Sequence, residues 1–174
     1  MDKVDLLLKQ WATERPDLDS SPMGVIGRLT ILNRSVEKGF QQSLENVHIT
    51  MQEFDVLAVL RRCGPPFQQA VGVLCSYTLL SSGAMTNRID RLVKKELVLR
   101  KPNPEDRRGV IVALSEQGRT LIDELLPVRF EEAYKIVSVL SSAERNDLEK
   151  LLKKMTDAHS EECAAIVDIN LNNS

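Results

Sequence analysis

A mainly α-helical fold with one small β-hairpin (α+β) is predicted from two observations. Only 4% of the 174 residues are aromatic, whereas Leu, Val, Lys and Glu are abundant, a composition typical of helical proteins. Apolar residues recur at helical spacing along most of the chain, except where two short aliphatic runs flank a cluster of turn-forming and charged residues. With 43% hydrophobic residues, the chain is able to bury a sizeable core as one domain with extensions.

The N-terminal part predicts three helices. The first runs from Asp2 to about Thr13, because Val4, Leu7, Leu8 and Trp11 have helical spacing, and Pro16 ends it. A long amphipathic helix from about Met23 to Asn46 follows. The third helix begins with the capping box Thr50-Met51-Gln52-Glu53 and ends before Gly64-Pro65-Pro66.

The middle of the chain predicts a compact helical pair and a hairpin. A short helix is expected around Gln68 to Tyr77, and Ser81 caps another helix that runs to about Glu96. The runs 97–100 and 110–114 then form a β-hairpin whose tip is rich in Pro, Asn and charge. A short helix, a turn, a basic helix and a hairpin in this order are the winged helix-turn-helix arrangement.

Two further helices complete the chain. Ser115 caps a helix that runs to about Leu140 and contains Pro127, and the capping box at Ser141 opens a helix to about Ile166. The apolar faces of the N- and C-terminal helices exceed what the small central module needs, so we expect them to dimerise. The predicted organisation is N-terminal helices in 1–48, a DNA-binding lobe in 49–114 (recognition helix about 81–96, wing about 97–114) and C-terminal dimerisation helices in 115–174.

Charge is distributed unevenly along the chain. The net charge is −2, but the segment from Ser81 to Arg108 holds eight basic and four acidic residues and is therefore +4. The remainder is −6. A basic island in an acidic chain is typical of a DNA-contacting element in a regulator, although a solvated helix face is the alternative.

A helical wheel of the basic helix separates a core face from a DNA face. Met85, Ile89, Leu92 and Val93 lie on one face, which we expect to be buried. We expect small residues to approach the groove, Asn and Arg to reach base edges, and Lys and the wing arginines to contact phosphate or the minor groove. In that order, these predicted DNA-binding residues are Ser82, Gly83 and Ala84, then Asn87 and Arg91, then Lys94, Lys95, Arg107 and Arg108.

Two charged residues do not fit these faces. Asp55 is the one charge in the apolar run from Phe54 to Leu60, and Arg88 lies on the flank of the basic helix. Because buried charges need partners, Asp55 and Arg88 are expected to share a pocket. A purely structural ion pair is the alternative.

Other classes of protein are disfavoured. We find no nucleophile elbow, phosphate-binding glycine loop or carboxylate pair near a histidine, so we expect no enzyme. No apolar run is long enough to span a membrane and the N-terminus lacks a signal peptide, so a cytoplasmic location is expected. Cys63, Cys75 and Cys163 fit no disulfide or zinc pattern, and Cys63 is the one candidate redox sensor. We expect no metal and no cofactor.

The chain resembles the MarR family of regulators along nearly its whole length. The resemblance is carried by the wing, 106–110 running into Leu114-Ser115, by residues 81–88 and by residues 53–57. Within the family it is most similar to the branch of PecS and the urate-responsive regulators. Trp11, the segment 15–19 and the segment 61–66 match that branch.

The resemblance implies a homodimer that binds a double-stranded DNA operator, as a repressor, and releases it when a small anion such as urate binds. It implies ligand-binding roles for Trp11, Asp55, Arg88 and Arg100. One departure is the start of the short helix, Gln69 to Leu74, which lacks the family's usual cap and acidic residue. A redox sensor acting through Cys63, a salicylate-type or phenolic effector, and a helical interaction module that does not bind DNA are the alternatives.

Overall fold

A computed structural model of the chain describes residues 1–78, 82–104 and 109–159. The elements follow the predicted order, with one additional strand. They are α1 (Lys3–Glu14), α2 (Pro22–Asn46), α3 (Met51–Arg62), β1 (Gln68–Ala70), α4 (Val71–Thr78), α5 (Ser82–Lys94), β2 (Val98–Pro102), β3 (Val110–Leu114), α6 (Glu116–Val137) and α7 (Ser142–Ala158).

Side chains at the predicted caps start three of these helices. Thr50 begins α3 and Ser141 begins α7, each in a reciprocal capping box with the glutamate three residues later. Ser115 begins α6, where its hydroxyl accepts the Gly118 amide at 2.9 Å. These caps satisfy backbone N–H groups that have no partner inside the helix. The predicted cap at Ser81 lies outside the described residues, as does the predicted extension of the last helix to Ile166.

Residues 68–70 correct the prediction that a helix begins at Gln68. They form β1, which pairs antiparallel with β3, and the three-stranded sheet has the order β1-β3-β2. The pairing begins where the Leu114 amide donates to the Phe67 carbonyl at 2.9 Å. Phe67 has a φ of 57°, which turns the chain out of the preceding loop and into the sheet edge. The helix therefore starts only at Val71.

One apolar core joins α2 to the DNA-binding lobe. Its fully buried side chains come from α2 to α6 and from β3: Phe40, Leu44, Val56, Leu57, Leu60, Leu74, Met85, Ile89, Leu92, Val112 and Ile122. The predicted core face of α5 is thus confirmed for three of its four members. The prediction for Val93 was wrong, because this side chain is 37% exposed at the edge of the face.

The wing passes into α6 through a close backbone contact. Gly118 is buried in the first turn of α6, and a Cβ at this position would collide with the Leu97 carbonyl at the start of the wing. The Ser115 amide also donates to that carbonyl at 3.1 Å. Only glycine permits this approach, so the wing and the first turn of α6 are held together as one unit.

Apolar side chains are exposed on the terminal helices, as the dimerisation hypothesis requires. No residue of α7 is buried between Ser142 and Ala158. The largest exposed apolar side chains on α1, α2, α6 and α7 are Leu6, Leu7, Trp11, Val25, Ile26, Ile31, Leu32, Phe130, Tyr134, Leu148, Leu151 and Met155. A single chain leaves these faces uncovered, and such apolar surface is typical of protein interfaces.

Helix α1 is fixed to α2 by packing and by charge. Val4 is 4% exposed and lies against Gly27, where the absence of a side chain lets the helices approach. Arg28 of α2 forms ion pairs with Asp2 and Asp5 at 2.9 and 2.6 Å. Within the described ranges of the chain, no helix is both long enough and apolar enough to cross a membrane.

Candidate DNA-binding surface and effector site

Helix α5 presents a basic face to solvent. Its buried residues, Met85, Ile89 and Leu92, hold one side of the helix against the core. Asn87, Arg91 and Lys94 lie on the opposite side and are exposed. The side chains predicted to reach base edges and phosphates are therefore accessible on a helix whose orientation is fixed by packing.

The first turn of α5 is open to a close approach. Gly83 is exposed, and a Cβ built there would have no atom within 4 Å. Ala84 is half-buried. The predictions for Arg107 and Arg108 at the wing tip, and for the side chain of Ser82, fall outside what the structure describes.

The Lys95 ammonium group forms its hydrogen bonds within the protein. Its ammonium donates to both Glu53 carboxylate oxygens, at 3.0 and 2.9 Å, and to the His48 carbonyl at 2.7 Å. Burial acts to raise the pKa of Glu53, but hydrogen bonds from Lys95 and from the Thr50 amide outweigh it, so the pKa is lowered. This geometry assigns Lys95 to an ion pair that fixes the end of α5, in place of the predicted phosphate contact.

Sequence reasoning missed Glu53 as the partner of Lys95. The capping box identified Glu53 only as a partner of the Thr50 amide, to which it is bound at 2.7 Å. The glutamate side chain is 1% exposed, so it needs a cation as well as the backbone. The signal was helical spacing, because Glu53 lies three and four residues before Val56 and Leu57 and so shares their buried face.

The wing is tied to the recognition helix by Arg100. Its guanidinium pairs with Asp90 of α5 at 2.7 Å and donates to the Thr86 carbonyl at 3.5 Å. A cavity of about 650 Å³ lies beside this pair, between α4, α5 and the wing. Lys101 also links the wing to β1, where it donates to Gln68 at 3.1 Å. Arg100 thus lies on the wing side of α5.

Arg88 and Asp55 are close enough for their charges to interact. Nη1 of Arg88 is buried and has no hydrogen-bond partner within the described residues. Asp55 is exposed in the single chain, which corrects the expectation that it is a buried charge. Desolvation by the surrounding protein nevertheless raises the pKa of Asp55, and the positive charges of Arg129 and Arg88 oppose this rise. Within the described part of the chain, no hydrogen bond or salt bridge joins Arg88 to Asp55, and one guanidinium nitrogen of Arg88 remains unsatisfied.

Three more charged residues act on Asp55 that sequence reasoning missed. Arg129 and Arg62 favour its carboxylate form, whereas Glu37 of α2 disfavours it. Arg129 could have been found by the signal that singled out Asp55, because it continues the buried stripe of Ile122 and Leu125 along α6.

Trp11 lies apart from these groups. It is 48% exposed on α1, and its surroundings are the connector residues Leu18 to Ser20 and Met23. In the structure of one chain, Asp55 and Arg88 therefore interact through their charges without a direct contact. Trp11 lies elsewhere, on α1, and Arg100 pairs with Asp90.

Cys63 ends α3 and is half-buried against the core, with its sulfur 3.6 Å from Gln69 Nε2. Cys163 lies outside the described residues. Among residues 1–78, 82–104 and 109–159 no group of three or more His, Cys, Asp or Glu is placed to hold a metal ion.

Comparison with known proteins identifies the family. The MarR family matches residues 49–110, which span α3 to the start of β3. The regulator PecS of Dickeya dadantii is 31% identical over 153 residues, covering 88% of this chain and 92% of PecS. The chain belongs to the MarR family.

Solved structures agree with this assignment. A mutant of MarR from Escherichia coli complexed with operator DNA has a TM-score of 0.67 at 29% identity, over 77% of this chain and 93% of that one. BpsR of Bordetella bronchiseptica, whose DNA binding is regulated by 6-hydroxynicotinic acid, has a TM-score of 0.66 at 28% identity, over 76% and 93%. This MarR-family chain is a DNA-binding transcriptional regulator of the winged helix-turn-helix type.

Proposed function

We propose that two copies of this chain bind a pseudo-palindromic operator as a repressor and release it when a small anion of the urate type binds. The observation that carries the effector part is the buried Nη1 of Arg88, which has no hydrogen-bond partner among the described residues. This arginine is rooted in the helix that presents Asn87 and Arg91 to DNA. An anion bound by Arg88 therefore acts directly on the recognition helix.

The exposed apolar faces of α1, α2, α6 and α7 support the homodimer. Winged helix-turn-helix dimers insert their two recognition helices into successive major grooves, about 34–36 Å apart. The distance between the two copies of α5 therefore decides whether both half-sites can be occupied. An effector that shifts α5 relative to the dimerisation helices lowers DNA affinity, and DNA lowers effector affinity by the same factor.

The chemistry around Arg88 supports a planar anion with both donors and acceptors. The guanidinium offers N–H groups to an oxyanion, and Asp55 offers a carboxylate to an N–H or O–H. Urate has both features, and so does the hydroxynicotinate that regulates the related BpsR. Roles for Trp11 and Arg100 in the site rest on the resemblance to the PecS branch.

A gel shift on the DNA upstream of the protein's own gene tests the proposal, with urate and salicylate titrated against the complex. We expect urate to release the wild type, and we expect Arg88→Ala to blunt this release more than it weakens DNA binding. Arg91→Ala is the matched control, since it lies on the exposed face and should weaken DNA binding without changing the effector response.

Equal losses of DNA affinity and urate response in Arg88→Ala would overturn the assignment of Arg88 to the effector site. If DNA binds and neither compound releases it, the DNA-binding function stands and the urate proposal fails. Release by peroxide that Cys63→Ser abolishes would then favour the redox alternative.

A further inference from the structure

The wing leaves the apolar core part-way along its strands. On β2 only Val98 is buried, and the four residues that follow it are exposed. On β3, Val112 is the last buried residue toward the wing tip, and it is paired with Arg100 of β2. The outer half of the hairpin therefore extends beyond the side chains that pack the lobe, and apolar burial does not fix its direction.

A cavity of about 650 Å³ lies between the outer half of the wing and helices α4 and α5. Arg100, Asn103 and Val110 line its wing side, and Thr86 and Ile89 line its α5 side. Protein interiors are normally close-packed, so a gap of this size means that packed side chains do not hold the outer wing against the recognition helix.

An ion pair spans this gap. Nη2 of Arg100 lies 2.7 Å from Oδ1 of Asp90, and it donates to the Thr86 carbonyl, one turn earlier on α5, at 3.5 Å. Within the described ranges of the chain, this is the one ion pair between the wing and α5. The next residue, Lys101, lies on the opposite face of β2 and donates to Gln68 of β1. The angle between the wing and α5 thus depends on Arg100 and Asp90.

Stability alone does not explain this ion pair. The side chains of Arg100 and Asp90 are 39% and 45% exposed. Ion pairs of such exposure contribute little to the free energy of folding, because water screens the charges and both side chains lose freedom. Asp90 also lies on α5 directly before Arg91, a predicted base contact, where an unpaired carboxylate would repel DNA phosphates. An acidic residue at this position is therefore explained better by a role in DNA binding.

We infer that Asp90 is a positioning residue for DNA recognition, which holds Arg100 across the cavity and so sets the angle between the wing and the recognition helix. The wing carries Arg107 and Arg108, the predicted contacts to DNA beside each half-site. With the angle fixed, helix and wing contact neighbouring parts of the DNA together, and less freedom is lost on binding. The inference rests on DNA binding and does not depend on the identity of the effector.

Footprinting of the full-length protein shows which part of the DNA the wing contacts. Hydroxyl radicals are applied to the DNA upstream of the protein's own gene. We expect the wild type to protect central patches, through the recognition helices, and flanking patches, through the wings. Two duplexes are then made from this DNA, one that spans all the protected patches and one that is trimmed to the central patches.

Asp90→Asn should lose the flanking protection. It should bind the longer duplex about tenfold more weakly at constant salt, the loss expected for about one charge-assisted hydrogen bond to phosphate. Its affinity for the trimmed duplex should not fall. Simple charge repulsion predicts the opposite sign, because the variant has one negative charge fewer near DNA and would bind both duplexes more tightly. Asp90→Glu keeps a carboxylate beside Arg100 and should retain most of the flanking protection.

Asp123→Asn is the matched control. Asp123 of α6 is 40% exposed and pairs with Arg61 of α3, so the substitution also removes one carboxylate and one partly exposed ion pair. It should bind both duplexes as the wild type does. Urea unfolding of Asp90→Asn and Asp123→Asn should give midpoints close to that of the wild type.

Unchanged or tighter binding of the longer duplex by Asp90→Asn would overturn the inference, as would an equal loss on both duplexes. Equal losses in Asp90→Asn and Asp123→Asn would overturn it too, because they would show an effect of net charge or of stability. A wild type that protects no flanking DNA would leave the wing without a contact for Asp90 to position, and the inference would be wrong.

Discussion

Lys95→Met should destabilise the protein and leave its DNA contacts intact. The substitution leaves Glu53, which is 1% exposed, without its cation. Breaking a buried ion pair by removing one partner costs about 3–5 kcal/mol. Lys95 itself is 35% exposed and Glu53 keeps the Thr50 amide at 2.7 Å, so we expect the loss to be about 2–3 kcal/mol.

Urea unfolding at fixed protein concentration measures this loss. The pH dependence of this loss identifies Glu53 as its source, because the folded-state pKa of Glu53 lies below the ordinary value of 4.5. The ion pair therefore contributes its full stability above about pH 4.5 and loses it as the pH falls through the lowered folded value. The difference in unfolding free energy between the wild type and Lys95→Met should shrink over the same pH range.

Lys94→Met is the matched control for DNA binding. Lys94 is exposed one residue earlier, so its substitution should hardly change stability. It should reduce the slope of log affinity against log salt by about one, as expected for one lost phosphate contact. Lys95→Met should leave that slope unchanged at temperatures where the variant is folded. A normal unfolding midpoint for Lys95→Met, together with a reduced salt slope, would refute the ion-pair assignment.

Four other substitutions give separate tests of the DNA-binding surface, the fold and the charge of Asp55. Arg91→Ala should cost about 1–3 kcal/mol of sequence-specific DNA affinity in a gel shift, with less effect on non-specific DNA; an equal loss on both would contradict a base-edge role. Gly118→Ala should cost about 2–3 kcal/mol in urea unfolding, because its Cβ meets the Leu97 carbonyl. Gly83→Ala, whose Cβ meets nothing, should be neutral or stabilising by up to about 1 kcal/mol, and similar losses in both glycine variants would contradict the backbone contact. Asp55→Asn should stabilise the protein at neutral pH, since the raised pKa of Asp55 means that its charged form is disfavoured in the folded state. This gain in unfolding free energy should vanish below the ordinary pKa of 3.8, where the carboxyl is protonated in both states. A gain independent of pH would contradict the raised pKa of Asp55.

Helices whose first residues are determined by local hydrogen bonds could be predicted from the sequence. Thr50, Ser115 and Ser141 begin helices because their side chains bind nearby backbone amides, which requires no tertiary information. Strand β1 could not be predicted in this way. Residues 68–70 are Gln, Gln and Ala, which have little strand preference, and they form a strand only because β3 offers an unpaired edge.

In the candidate sites, too, the sequence predicted what depends on local periodicity and missed what depends on tertiary contacts. The wheel of α5 identified its exposed face, because the periodicity of a helix decides which residues face the core. It could not tell that Lys95, near the end of the helix, reaches Glu53 on α3. The partner of a long side chain near a helix end depends on which residues the folded structure places within its reach.

Two ion pairs hold α5 in place. Arg100 pairs with Asp90 on the wing side, and Lys95 pairs with Glu53 just beyond the C-terminal end of the helix. Arg88 precedes both Asp90 and Lys95 in sequence and has an unsatisfied buried nitrogen. A ligand at Arg88 therefore acts on a helix whose wing side and C-terminal end are already fixed. We expect the least costly movement to be a rotation of the lobe, together with the wing and the first turn of α6, relative to α2 and to the part of α6 beyond Pro127. Such a rotation changes the separation of the two recognition helices in a dimer without unfolding either lobe, which is the change that simultaneous binding of two half-sites cannot tolerate.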